Sequence, residues 1–138
     1  MLSAGDFVDT AGHVLGRHRG LARYTTGQGK GLGISLGRRV YVVGKDVAAN
    51  TVTLGDESDL YTTELLAQNV NWISTPPVQP VRCSAKTRYS QHETPALASM
   101  EPDGRLRVVF DQPQRAVTSG QAVVLYDGDE VLGGGTII

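Results

Sequence analysis

The segment Val81-Arg82-Cys83-Ser84-Ala85-Lys86-Thr87-Arg88-Tyr89 has the residue types and spacing that suggest chemistry most directly. In an extended chain, side chains alternate between faces. Arg82, Ser84, Lys86 and Arg88 then share one face, and Val81, Cys83, Ala85, Thr87 and Tyr89 share the other. Cations at intervals of ~6.6 Å along a strand have a spacing comparable with successive phosphates of one nucleic-acid strand. Tyr89, at the end of the run, either stacks on a base or closes the core. For a lone strand, solvated charge is the ordinary outcome, so the surrounding sequence decides how much weight the row carries.

That sequence separates its charges. From Thr10 to Lys45 there is no Asp or Glu, yet Arg17, Arg19, Arg23, Lys30, Arg38, Arg39 and Lys45 all fall there. From Leu65 to His92 there is again no acid, but Arg82, Lys86 and Arg88 are present. Acids gather at Asp46, Asp56, Glu57, Asp59 and Glu64, and from Glu93 onward. The net charge of −1 excludes a uniformly basic coat but permits a one-sided positive face. Together the two acid-free stretches point to an anionic partner.

Gly27-Gln28-Gly29-Lys30-Gly31-Leu32-Gly33 suggests a phosphate loop but fails its tests. A Walker loop needs Ser or Thr after Gly-Lys, and Gly31 stands there. The dinucleotide pattern needs a wider last glycine spacing, and no hydrophobic strand precedes the run. Such a loop either lets its backbone approach a ligand closely or packs tightly on its neighbours. His13, His18 and His92 make no helix-face metal pair, and Cys83 reads as a small core hydrophobe. Neither a metal site nor a catalytic constellation is expected.

The elements needed to position these residues are almost all strands. The 138 residues, 40% hydrophobic and 20% charged, suit one ordinary domain or two small ones; 17 glycines and 6 prolines imply many turns. One cysteine excludes a disulfide framework and fits a cytoplasmic setting. Neither a signal peptide nor a run of the ~20 apolar residues needed to span a bilayer is visible. Phe7–Asp9 and His13–Leu15 read as a hairpin, and Val40–Val43 and Thr51–Leu54 as strands. Glu64–Ile73 fits a helix or a strand by spacing, and Asn69 and Asn71 favour the strand. Ala96–Met100 and Leu106–Phe110 flank Glu101-Pro102-Asp103-Gly104, a type I turn signature. Ala122–Tyr126 and Glu130–Leu132 flank a second tight turn, with a short last strand at Thr136–Ile138. Thr25–Leu32 is the single helix candidate, weakened by its glycines. Pro76-Pro77 suggests a boundary, followed by the short, evenly spaced strands of a small barrel.

Several motifs then fall in one order. Gly16-Arg17-His18-Arg19-Gly20-Leu21, Tyr24 to Ile34, and Tyr41-Val42-Val43 resemble the central region of bacterial tRNA-specific 2-thiouridylases. Some of these carry the older label tRNA (5-methylaminomethyl-2-thiouridylate)-methyltransferase. Lys86-Thr87-Arg88-Tyr89, Ala116 to Ala122, and Leu132 to Ile137 resemble that family's C-terminal barrel. The resemblance runs from about Gly5 to Ile138. It implies a mainly β chain: a small glycine-rich central domain over 1–62, then a six-stranded antiparallel β-barrel over 63–138, similar to the second domain of elongation factor Tu.

The resemblance also implies a division of labour. The family's enzyme has a PP-loop domain that uses ATP to adenylate the wobble uridine, and a catalytic cysteine that receives persulfide from a sulfur-carrier protein. Neither that domain's loop nor its cysteines match this chain, which is expected to be no enzyme on its own. By the resemblance, Arg88, Tyr89 and Gln121 contact tRNA, and the stretch holding Gln28 and Lys30 lies near it. Lys86 and Arg82 join them through the strand argument. Two positions depart from the family: Gly29 stands where Arg is usual, and Ser119 where Pro is usual. The rival expectation is a structural or protein-docking module that braces the catalytic domain or recruits the sulfur carrier, with the acids of Asp127 to Glu130 as its surface. A stand-alone small enzyme fits least well.

Overall fold

The β-branched and aromatic runs all become strands, in two units that a computed structural model describes over residues 3–87 and 92–138. The units are Met1–Tyr61 and Thr62–Ile138.

In the first unit, β1 (Gly5–Val8) and β2 (Val14–His18) form the expected hairpin. After them come β3 (Tyr41–Asp46) and β4 (Thr51–Gly55), which pair antiparallel. The sheet order is β2-β1-β4-β3, with β1 and β4 parallel. Phe7, Val42, Val52 and Leu54 project from the strands into a core that Tyr24, Leu32 and Val40 complete from the long connection. Thr25–Leu32 is not helical: left-handed backbone at Gly27 (φ 95°) and Gly31 (φ 71°) breaks any helical path there. Helical structure among the described residues is confined to two 3-10 turns, Leu21–Arg23 and Glu57–Leu60.

The segment after β2 is pinned by buried side chains. His18 is buried, with Nδ1 accepting from the Gly20 N–H (2.9 Å) and Nε2 2.8 Å from the Asn50 carbonyl. Because Nδ1 must accept, Nε2 carries the proton and donates. Phe7, His18 and Tyr24 meet edge to face at 5.2–5.9 Å between ring centroids. The Tyr24 hydroxyl then accepts from the Arg19 N–H at 3.0 Å.

The second unit is a closed barrel of six strands in the order β10-β5-β8-β7-β6-β9. Its strands are β5 (Tyr61–Trp72), β6 (Val81–Lys86), β7 (Thr94–Met100), β8 (Leu106–Arg115), β9 (Ala122–Asp127) and β10 (Glu130–Ile137). Alternate residues fill it: Leu65, Ala67, Ala85, Ala96, Ala98, Leu106, Val108, Phe110, Val123, Leu125 and Ile137. The alanines suit a barrel this narrow, where facing walls leave little room. Glu101–Gly104 makes the expected turn, with the Gly104 N–H donating to the Glu101 carbonyl at 2.9 Å.

Two further expectations are corrected. Pro76-Pro77 does not divide the units: it lies in the connection between β5 and β6, both strands of the barrel. Nor do the glycines at 133–135 separate two strands, because β10 runs continuously through them. A Cβ on Gly134 would fall 2.2 Å from the Val123 carbonyl oxygen, so β10 lies too close to β9 for a side chain there.

Candidate nucleic-acid interface

The glycine loop crosses the first unit from the β3 edge to β2. Gly27 N–H donates to the Val42 carbonyl (2.7 Å), and Val42 N–H donates to the Gln28 carbonyl (2.9 Å). Further on, Ile34 packs against Gly16 of β2. The Gln28 side chain is used within the loop: Oε1 accepts from the Thr25 N–H (3.0 Å) and Nε2 donates to the Lys30 carbonyl (2.8 Å). Gln28 therefore shapes the segment that carries Lys30.

Lys30 and Arg39 border one open groove of about 370 Å³, with Gln28, Gly29 and Tyr41. Arg39 also borders a second, of about 460 Å³, with Arg38 and the backbone of Gly29, Gly31 and Gly33. Arg38 is paired, its Nη1 lying 2.6 Å from Asp56 Oδ1. Lys30 and Arg39 are exposed, and neither has a carboxylate within ion-pair distance among the described residues. Gly29 is where the Tyr41 ring comes closest: a Cβ there would lie 2.9 Å from Cε1. A cluster of open cations over exposed backbone amides is chemically suited to phosphate.

On the barrel, β6 alternates as expected. Ala85 is buried, Val81 and Cys83 pack against the core, and Arg82 is exposed. Burial pushes the Cys83 thiol above its ordinary value, with Arg82 opposing more weakly, so this sulfur is no ready nucleophile. Arg82 makes a two-pronged pair with Asp111 of β8, Nη1 to Oδ1 at 2.9 Å and Nη2 to Oδ2 at 2.5 Å. The hydrogen bond from Arg82, and then its charge, hold the Asp111 carboxyl below the usual range. The expected row of open cations is thus interrupted at its first member. Lys86 is half-buried with no carboxylate partner among the described residues, while Arg88 and Tyr89 lie outside those residues.

Gln121 sits just before β9, where Lys86 of β6 pairs with Val124, so both occupy one end of the barrel. Its backbone joins the closing turn, accepting from the Ile137 N–H at 2.8 Å. Its Oε1 is buried with no hydrogen-bond partner among the described residues. An orphaned acceptor of this kind is complete only when a donor reaches it. Within the first unit Gln28 thus lies with Lys30, and within the second Lys86 lies at the same end of the barrel as Gln121. Arg39 was missing from the expected set, although its acid-free surroundings were the signal for it.

Comparison with known proteins gives a consistent set of relatives. The family model described as the tRNA methyl transferase PRC-barrel domain matches residues 2–56, and the Aminomethyltransferase beta-barrel domain model matches residues 62–137. The chain is 55% identical over 137 residues to the tRNA-specific 2-thiouridylase MnmA of Acetivibrio thermocellus, covering 99% of this chain and 38% of that protein. Against the protein of the same name from Clostridioides difficile it is 47% identical over 137 residues, with the same coverage of 99% and 38%. For the one from Halothermothrix orenii the figures are 48% over 134 residues, 96% of this chain and 37% of that protein. The chain thus spans well under half the length of these relatives.

Proposed function

Because the chain belongs to the tRNA-specific 2-thiouridylase family, we propose that it is the tRNA-binding and tRNA-positioning part of an enzyme that 2-thiolates the wobble uridine of tRNA. The observation that carries this reading is the pair of exposed, carboxylate-free cations Lys30 and Arg39 on the grooves of the glycine loop. Such cations hold phosphates and fix register without reading bases. On the barrel, Lys86, the buried acceptor of Gln121 and the neighbouring Arg88 and Tyr89 supply a second contact, with Arg82 joining when it exchanges Asp111 for phosphate. Exposed pairs of that kind are weak, which makes the exchange inexpensive.

On this reading the chain contributes placement and not bond-making. Holding the anticodon loop in register over a distant reacting centre is itself a large rate contribution. ATP belongs to the part of the enzyme outside this chain. A sulfur-carrier protein delivering persulfide is the partner of the whole enzyme, and its setting is the cytoplasm. No helix among the described residues is long and apolar enough to cross a membrane.

A second reading has one observation in its favour. Asp127, Asp129 and Glu130 at the β9–β10 turn are exposed, with no cation in ion-pair distance among the described residues. That turn suits a protein-docking module that braces the catalytic domain or receives the carrier.

A salt titration against unmodified tRNA with a wobble uridine, followed by fluorescence anisotropy, separates the two. Phosphate contacts make the logarithm of affinity fall linearly with the logarithm of salt concentration. A steep fall is expected. No binding even at low salt would overturn the tRNA reading in favour of docking.

A further inference from the structure

We infer that the segment from Arg19 to Arg23, which holds the 3-10 turn after β2, is a second phosphate-contact site in the first unit, carried by those two arginines. The inference rests on the tRNA reading above and assigns that ligand a further point of contact.

Arg19 and Arg23 are both exposed, and neither has a carboxylate within ion-pair distance among the described residues. Their neighbour Arg17 is different, its Nη1 lying 3.1 Å from Asp6 Oδ1. The backbone that bears the two open arginines is unusually well held. The Arg19 N–H donates to the buried Tyr24 hydroxyl at 3.0 Å, and the Gly20 N–H to buried His18 at 2.9 Å. Arg23 N–H closes the turn on the Gly20 carbonyl at 3.1 Å. Lys45 Nζ reaches across from β3 to the carbonyls of Leu21 (3.3 Å) and Tyr24 (3.0 Å). A third cation is thus drawn to the same turn, held by carbonyls and not by an acid.

Two arginines on this short segment and a lysine reaching it from β3 bring three positive charges to it, and none has a carboxylate within ion-pair distance among the described residues. An arrangement of that kind is completed by an anion from outside. The fixed backbone lowers the ordering cost of binding, because only the side chains of the two arginines remain to be set. The spread of the site over two arginines suits a backbone with successive phosphates better than a single small anion.

The test compares the chain with its Arg19→Ala/Arg23→Ala variant in the same tRNA salt titration, with thermal melting of each as a check on folding. Loss of two phosphate contacts lowers the salt slope by about two and weakens binding about tenfold at low salt. The Arg19→Lys/Arg23→Lys variant keeps the charges and is expected to retain most of the slope. If the chain binds tRNA steeply and the alanine variant shows the same slope, the turn is not a contact site, while the tRNA reading stands. If the unaltered chain does not bind tRNA, both fall together. A variant that melts early is replaced by Arg19→Gln and Arg23→Gln singly, each expected to lower the slope by about one.

Discussion

On the barrel wall, the strand residues Arg82 and Arg107 each reach a carboxylate: Asp111, and Glu64 with Glu101. In the first unit, Arg19, Arg23, Lys30 and Arg39 reach none among the described residues, although Arg17 and Arg38 there do. The difference follows from where the charges stand. A strand residue has fixed neighbours across the sheet, so an acid on a nearby strand meets it at no extra ordering cost. A loop residue has no such neighbour. Loop cations remain open unless a carboxylate is brought to them, and the acid-free run from Thr10 to Lys45 brings none from within the segment.

The comparison can be broken first at the support of the loop cations. Phe7 is fully buried and its ring touches both His18 and Tyr24, the anchors of the turn that bears Arg19. Phe7→Ala is expected to cost about 3–5 kcal/mol in urea denaturation. A cost below about 1 kcal/mol would mean that the turn stands without its aromatic support. Next in size is the Lys30→Ala/Arg39→Ala variant. Its stability should stay within about 0.5 kcal/mol of the parent, while its salt slope for tRNA falls by about two. An unchanged slope would place the binding face elsewhere.

The smallest effect lies on the barrel. Asp111→Asn frees Arg82 and is expected to raise low-salt tRNA affinity a few-fold at most. A fall in affinity would show that the pair itself, and not the guanidinium, is what matters there. The same variant has a pH signature. Arg82 holds the Asp111 carboxyl below its ordinary value of 3.8. A carboxyl depressed in the folded state adds stability above the unfolded value and loses it as pH falls through the folded one. The parent should therefore lose its small advantage over Asp111→Asn below about pH 4 in urea midpoints.

The strands were legible because alternation and turn chemistry are local. Val81–Lys86 shows its two faces in six letters, and Glu101–Gly104 its turn in four. What was illegible depends on distant partners. The glycines at 133–135 look like a break until β9 is seen within 2.2 Å of a missing Cβ. Thr25–Leu32 has a capping threonine, but Gly27 and Gly31 take left-handed backbone, and Gly27 and Gln28 bond to Val42 of β3. The site divides in the same way. The acid-free runs were visible as letters, but the pairing of Arg82 with Asp111, 29 residues away, needed the barrel. Gln28 was legible as part of a contact loop, and its role as the brace inside that loop was not.

The arrangement of His18 has a spectroscopic consequence. Its ring is sealed between a backbone donor and a backbone acceptor, so a single tautomer is specified by the fold. The proton on Nε2, shielded from water, should exchange slowly and give its own resonance well downfield of the amides. That one line would report when the first unit is assembled.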